Sequence, residues 1–114
     1  MYLGFLTCKE DVFQEFGVPQ DEQDCKILFA YYEHEDYGCD GRAFVLLERN
    51  QKLYEVNGGH CSCYGLEGQW DPEETSVDAL MYRLREGACG YYWHGGNEKQ
   101  LKGVLQRWKR KQKA

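Results

Sequence analysis

Three consecutive segments rich in β-branched and aromatic residues are the feature that most constrains the fold of this chain. The first two run from Cys25 to Glu33 and from Arg42 to Glu48, and the third begins with Leu53 to Val56. Turn signals lie between them, at Asp40-Gly41 and at Asn50-Gln51. Strands joined by such short links favour an antiparallel meander.

Three further segments have the apolar spacing of amphipathic helices. The first covers residues 8–16 after a capping box from Thr7 to Glu10, and the second begins after a cap at Ser76. The third covers about residues 97–112, with an apolar face of Leu101, Val104, Leu105 and Trp108. The order α-β-β-β-α-α predicts a single α+β domain over residues 1–114. We expect an antiparallel sheet of three or more strands, with helices packed on one face.

Composition excludes some classes of protein. No run approaches the roughly 18–20 apolar residues of a membrane span, and the N-terminus has neither a basic leader nor an apolar core typical of a signal peptide. We therefore expect a cytoplasmic protein with reduced thiols and no membrane partner. Six cysteines could instead form a disulfide framework, with about fifteen pairings open. The simpler interpretation makes Cys8, Cys25 and Cys39 small buried hydrophobic residues.

Charge is distributed unevenly along the chain. The net charge is −5, yet residues 99–114 contain seven basic residues and no acid, while all nineteen acids lie in residues 1–98. Such asymmetry bears on partners rather than on fold. The basic C-terminal helix could contact nucleic-acid phosphates through Lys109, Arg110 and Lys111, or it could be a solvated helix end stabilised by the helix dipole. Nucleic acid is therefore an open alternative among the partners.

The acids cluster in loops, and acidic loops on a small rigid scaffold can imitate phosphates and occupy a basic cleft of another protein. Ordinary solubility is the competing explanation. Aromatic side chains beside the acids could anchor a partner. The predicted binding residues in these loops are Glu35, Asp36, Tyr37, Trp70 and Asp71.

Residues 58–74 combine cysteines, a histidine and four glycines. On an extended backbone the side chains of Cys61 and Cys63 share one face, and His60 points to the other. Two thiolates could begin a zinc site that a later loop completes; the predicted ligands are Cys61, Cys63, Cys89 and His94. Two buried thiols, or a disulfide with Cys89, are the alternatives.

Catalysis has weaker support in the sequence. A Cys–His nucleophile needs both side chains within about 3 Å, and strand geometry separates His60 from Cys61. No hydrolase, metalloprotease or phosphate-loop motif is present. We predict no catalytic residue, and a Cys-dependent enzyme stays an alternative.

The segment from residue 54 to residue 75 resembles a family of small uncharacterised proteins of bacteriophages and prophages. The likeness covers mainly residues 43–80, and its core reads His60-Cys-Ser-Cys-Tyr-Gly-Leu-Glu, followed by Trp70 and Pro72-Glu-Glu. The resemblance implies an intracellular protein of an infected or lysogenic bacterium, and it brings no activity, cofactor or catalytic residue. It favours a non-enzymatic accessory protein that binds a host protein, as an inhibitor of a nucleic-acid-handling or defence factor. A small zinc-stabilised domain is the alternative.

Overall fold

The computed structural model describes residues 1–34, 40–61, 65–86 and 98–112. These residues form a five-stranded sheet and three α-helices, with a single 3₁₀ turn at Gln20–Glu22. The strands are β1 (Tyr2–Gly4), β2 (Lys26–His34), β3 (Asp40–Arg49), β4 (Lys52–Cys61) and β5 (Glu73–Thr75). The helices are α1 (Lys9–Phe16), α2 (Val77–Glu86) and α3 (Glu98–Gln112).

The strand order in the sheet follows the order in the chain, β1-β2-β3-β4-β5. The central β2, β3 and β4 form the predicted antiparallel meander, and β5 pairs antiparallel to β4. At the other edge β1 pairs parallel to β2, because the chain crosses over through α1 between them. The α+β class is confirmed, while the element order becomes β-α-β-β-β-β-α-α through two short edge strands.

Helices cover both faces of the sheet, so the expectation of one covered face was wrong. Along β2, Ala30 and Tyr32 point into the core beneath α1, whereas Phe29 and Tyr31 point into the core beneath α2 and α3. The central strands are apolar at successive positions, which is the pattern of a sheet buried on both sides. A β-bulge between Ile27 and Phe29 locally interrupts the alternation.

The β3–β4 connection is the predicted two-residue turn. Asn50 and Gln51 have φ values of 55° and 65°, in the left-handed region that a type I′ hairpin turn requires at both positions. The turn sets a register that pairs Arg49 with Lys52 and continues to Asp40 opposite Cys61. β4 therefore continues beyond Leu53 to Val56, where the predicted strand begins, and includes the Gly58-Gly59 pair.

The helix ends follow the sequence signals in part. Gly17 ends α1 with φ 63°, and Ser76 Oγ accepts a hydrogen bond from the Ala79 amide at 3.1 Å. The predicted capping box paired Thr7 with Glu10, and this partner was wrong. Both the amide and the hydroxyl of Thr7 donate to the Asp11 carboxylate, at 2.9 and 2.6 Å. Within the described ranges, no helix has the length and apolarity to cross a membrane.

Candidate functional site

Gly58 lets α1 and the segment of residues 65–72 pack on the sheet. A Cβ atom at Gly58 would lie 3.0 Å from Phe16 Cε1 and 3.1 Å from Leu66 Cδ2. Both neighbours are almost completely buried, at 0% and 1% exposure. A side chain at this position would therefore push two core residues away from β4, which gives the glycine a structural explanation.

His60 is engaged in a contact within the fold. Its Nε2 atom lies 2.9 Å from the Tyr32 hydroxyl, and the ring lies across Gly41, where a Cβ atom would come within 2.2 Å of Nε2. Phe5 packs edge-on against Tyr32 with ring centroids 6.0 Å apart. Burial raises the pKa of Tyr32, with a smaller contribution from Glu15. The arrangement makes His60 a polar contact that joins β4 to β2.

The predicted zinc ligands fall largely outside the described residues. Cys61 ends β4, where its backbone pairs with Asp40. Cys63, Cys89 and His94 lie outside the part of the chain that the structure describes, as does Cys39. Among the described residues, no group of three or more His, Cys, Asp or Glu side chains could hold a metal ion. Cys25 is buried and Cys8 is half-buried; both are free thiols, and burial raises the pKa of Cys25.

The segment of residues 65–72 is fastened to the sheet through Gln69. Its Oε1 atom accepts a hydrogen bond from the Gly59 amide at 2.9 Å, and its Nε2 atom donates to the Gly65 carbonyl at 3.2 Å. Trp70 packs edge-on against Phe13 and Phe16, with ring centroids 6.2 and 5.5 Å apart. Trp70 thus fills the core beneath α1, and its buried Nε1 has no hydrogen-bond partner among the residues that the structure describes.

An acidic layer covers one side of the sheet. We define it as residues 4–24 and 65–72, which contain eight acids and one base. The two parts meet at Gly17, where a Cβ atom would lie 3.7 Å from Glu67 Cγ. The structure places the predicted binding residue Asp71 here, exposed. The other acids of the layer are Glu10, Asp11, Glu15, Asp21, Glu22, Asp24 and Glu67.

Sequence reasoning missed the contribution of α1 to this layer. Its acids alternate with the apolar face that carries Val12, Phe13 and Phe16, so the helical period already indicated an acidic outer side. The predicted acidic loop with Glu35, Asp36 and Tyr37 lies outside the described residues.

A basic face lies on the other side of the sheet. We define it as the solvent-facing side of α3, whose residues include six bases and one acid. The predicted binding residues Lys109, Arg110 and Lys111 are all exposed there. Trp108 instead packs against the core, and its Nε1 donates to Glu48 Oε1 at 2.9 Å.

A buried polar cluster links the sheet to α2. Glu55 is 5% exposed; it pairs with Arg83 of α2 and accepts a hydrogen bond from Asn57 at 2.9 Å. Burial acts to raise the pKa of Glu55, but hydrogen bonds from Arg83, Thr75 and Asn57 outweigh it and hold the pKa below its ordinary value. The carboxylate is therefore charged and satisfied, which is the arrangement of a structural ion pair.

A cleft of about 280 Å³ opens between the start of α2 and the end of α3. Leu53, Val77 and Trp108 contribute apolar surface to it. Ion pairs lie along its rim, Lys52–Glu74 at 3.9 Å and Lys109–Asp78 at 3.8 Å. Because these rim charges balance, the cleft shows no preference for a charged ligand.

Comparison of the chain with protein-family models, with curated proteins and with solved structures finds no match in any of the three. The chemistry of the described surfaces therefore carries the functional argument.

Proposed function

We propose that this protein is a non-enzymatic accessory protein that binds a basic surface of a host protein through its acidic layer. The observation that carries the proposal is the separation of charge by the sheet. Residues 4–24 and 65–72 contain eight acids and one base and pack on one face, where Arg49 of β3 also reaches Glu22, whereas α3 on the other face contains six bases and one acid. Scattered surface charge would serve solubility equally well; concentrated charge of one sign also steers a partner of the opposite sign.

The two charged surfaces act independently in solution. Each is carried by a helix layer packed on the sheet, so the two lie roughly 20 Å apart, at about 10 Å for each packing layer. This distance exceeds the Debye length of about 8 Å at physiological ionic strength. The bases of α3 therefore do little to neutralise the acidic layer, and an approaching basic protein experiences mainly the acids.

The layer is also held in place. Leu66 is buried, Gln69 is hydrogen-bonded to β4, and the aromatic rings of α1 pack against Trp70. Preorganised charge costs less conformational entropy on binding than charge on a loose loop. The scaffold thus supports a fixed arrangement of carboxylates.

Proteins that handle nucleic acids present basic clefts, and these are the partners that an array of carboxylates fits. The resemblance to bacteriophage proteins adds a context, in which the partner is a defence or nucleic-acid-handling factor of the bacterial host. That context is an argument by association.

The proposal is tested by measuring complex formation with a panel of purified restriction and other defence nucleases at about 50 mM salt. A variant with Asp21→Asn, Glu67→Gln and Asp71→Asn removes three charges from the acidic layer. Its matched control carries Glu73→Gln, Glu74→Gln and Asp78→Asn, which change the net charge equally outside the layer.

We expect the layer variant to bind the nuclease at least about tenfold more weakly. Each acidic charge that is removed slows association with the basic partner. The control should retain the affinity. If no nuclease of the panel forms a complex at low salt, or if both variants weaken binding equally, the proposal is wrong.

A further inference from the structure

The basic face of α3 has positively charged side chains along the whole length of the helix. The helix has 15 residues and is therefore about 22 Å long. At about 100° per residue, Lys99 and Arg110 lie opposite the buried Leu101 and Leu105, and Lys102 lies beside them. Arg107 lies about as far from this outward line as Lys102, on its other side, whereas Lys109 and Lys111 lie about 100° from it, next to the buried face.

Gly103 lies in the middle of the helix, where glycine is the least favourable residue apart from proline. Its backbone does not need glycine, because it has no positive φ. Among the described residues, an added Cβ atom would meet nothing closer than Arg107 Nη1, at 3.7 Å. At this partly exposed position the helix has no side chain of its own, and only the Arg107 side chain lies near it. A glycine there permits the close approach of another backbone.

The partners of α3 within the protein leave most of its bases exposed. Lys109 pairs with Asp78 at 3.8 Å, and both side chains are more than half exposed. An exposed ion pair of this length competes weakly with a phosphate. Trp108 is held by Glu48, so a ligand would meet cationic side chains rather than a stacking surface.

The acidic layer does not prevent an anion from reaching α3. The sheet separates the two surfaces by roughly 20 Å, more than two Debye lengths of about 8 Å. The apolar side of α3 is packed against the sheet through Leu101, Val104 and Leu105, so the outward side is polar and unsuited to insertion into a membrane.

We propose that the outward face of α3 binds the phosphate backbone of duplex nucleic acid without sequence specificity. A helix of this width fits a groove about 12 Å wide, and cations spread over its outward half along the whole length can face the phosphates on both sides of that groove. The site goes beyond binding of a basic protein, and it uses residues on the opposite side of the sheet from the acidic layer. Evidence against nucleic-acid binding by α3 would therefore leave the function proposed above unaffected, and the reverse also holds.

The test is fluorescence anisotropy with the purified full chain and a labelled duplex, one arm with DNA and one with RNA of the same sequence. Lys99→Gln, Lys102→Gln and Arg110→Gln together neutralise the outward line. The matched control, Lys9→Gln with Lys26→Gln and Lys52→Gln, makes the same change in net charge on other elements. Circular dichroism verifies that both variants are folded.

If about four cations contact phosphates, the affinity of the unaltered chain for DNA falls about 100-fold between 50 and 200 mM salt. The outward variant should bind at least about tenfold more weakly, while the control stays within about twofold. Gly103→Ala should raise the melting temperature and yet weaken binding, a combination that a purely structural role for the residue would not produce. The RNA arm shows whether the face distinguishes the two duplexes.

Three results would overturn the inference. The first is no binding of either duplex at about 50 mM salt. The second is an equal loss in the outward variant and the control, which would assign the effect to net charge. The third is displacement of the duplex by polyglutamate at an equal concentration of charge, which would make the face a dock for acidic protein.

Discussion

The ion pair between Glu55 and Arg83 predicts a pH dependence of stability that can be tested directly. The Glu55 side chain is 7% exposed, and that of Arg83 is 33% exposed. Replacing Arg83 with Met keeps an unbranched apolar side chain and removes the charge. The carboxylate of Glu55 then stays between β4 and α2, with Asn57 and Thr75 as its remaining hydrogen-bond donors.

The loss of stability in Arg83→Met arises because the charged Glu55 carboxylate stays buried without its ion-pair partner. Removing one partner of a buried ion pair costs about 3–5 kcal/mol. Arg83 is one-third exposed and two other donors remain, so we expect a loss of about 2 kcal/mol in the free energy of unfolding at pH 7. For a chain of this length the melting temperature should fall by about 10 °C.

The dependence on pH has opposite signs in the two proteins. In the unaltered protein the folded pKa of Glu55 lies below the ordinary 4.5. Its contribution to stability is therefore present above that value and lost as the pH falls through the folded pKa. In Arg83→Met, burial is opposed by fewer hydrogen bonds, so the folded pKa rises above 4.5 and the variant gains stability as the pH falls through it. The difference between the two proteins should be largest at pH 7 and should shrink toward pH 4.

Urea unfolding followed by circular dichroism at several pH values measures this difference. The double variant Glu55→Gln, Arg83→Met has no charged group at the site, so it should be more stable than the single variant at pH 7. The reasoning fails if Arg83→Met loses as much stability at pH 4 as at pH 7, or if the double variant is no more stable than the single one at pH 7.

Two further substitutions test the packing of the sheet by thermal unfolding. Gly58→Ala should lower the free energy of unfolding by about 1–2 kcal/mol, because the new methyl group presses on Phe16 and Leu66. Gly103→Ala, with ordinary contact at 3.7 Å, is the matched control and should raise stability instead; a loss in both would implicate glycine replacement in general. Gln51→Gly should stabilise the hairpin by about 1 kcal/mol, because φ is 65° there. Gln51→Ala should bring no gain, and an equal gain from Ala would contradict a backbone origin.

Much of the fold could be predicted because its signals are local. The apolar spacing in α1, α2 and α3 repeats over two or more turns, and the central strands are runs of β-forming residues. The edge strands β1 and β5 have three residues each, too few to establish a period of two. They form because neighbouring strands offer unpaired backbone groups, and that is a tertiary effect.

The end of β4 could not be predicted from the sequence either. Gly58 and Gly59 have poor strand propensity, so the sequence placed the beginning of the strand at Leu53 to Val56 but not its end. In the structure, pairing with β3 continues to Cys61, and Phe16 and Leu66 occupy the space that a side chain at Gly58 would need. Packing outweighed local propensity at this point.

The two charged surfaces were likewise predictable only in part from the sequence. The basic character of α3 and the acidity of the remaining chain could be read directly from the order of the residues, since charge is a property of composition. Whether the charges mix or separate depends on which face of the sheet each element covers. Residues 4–24 and 65–72 are far apart in the chain, and they form one acidic layer because Phe13, Phe16 and Trp70 bury their rings together. Hydrophobic packing between distant segments, which no local pattern encodes, decided where the charges lie.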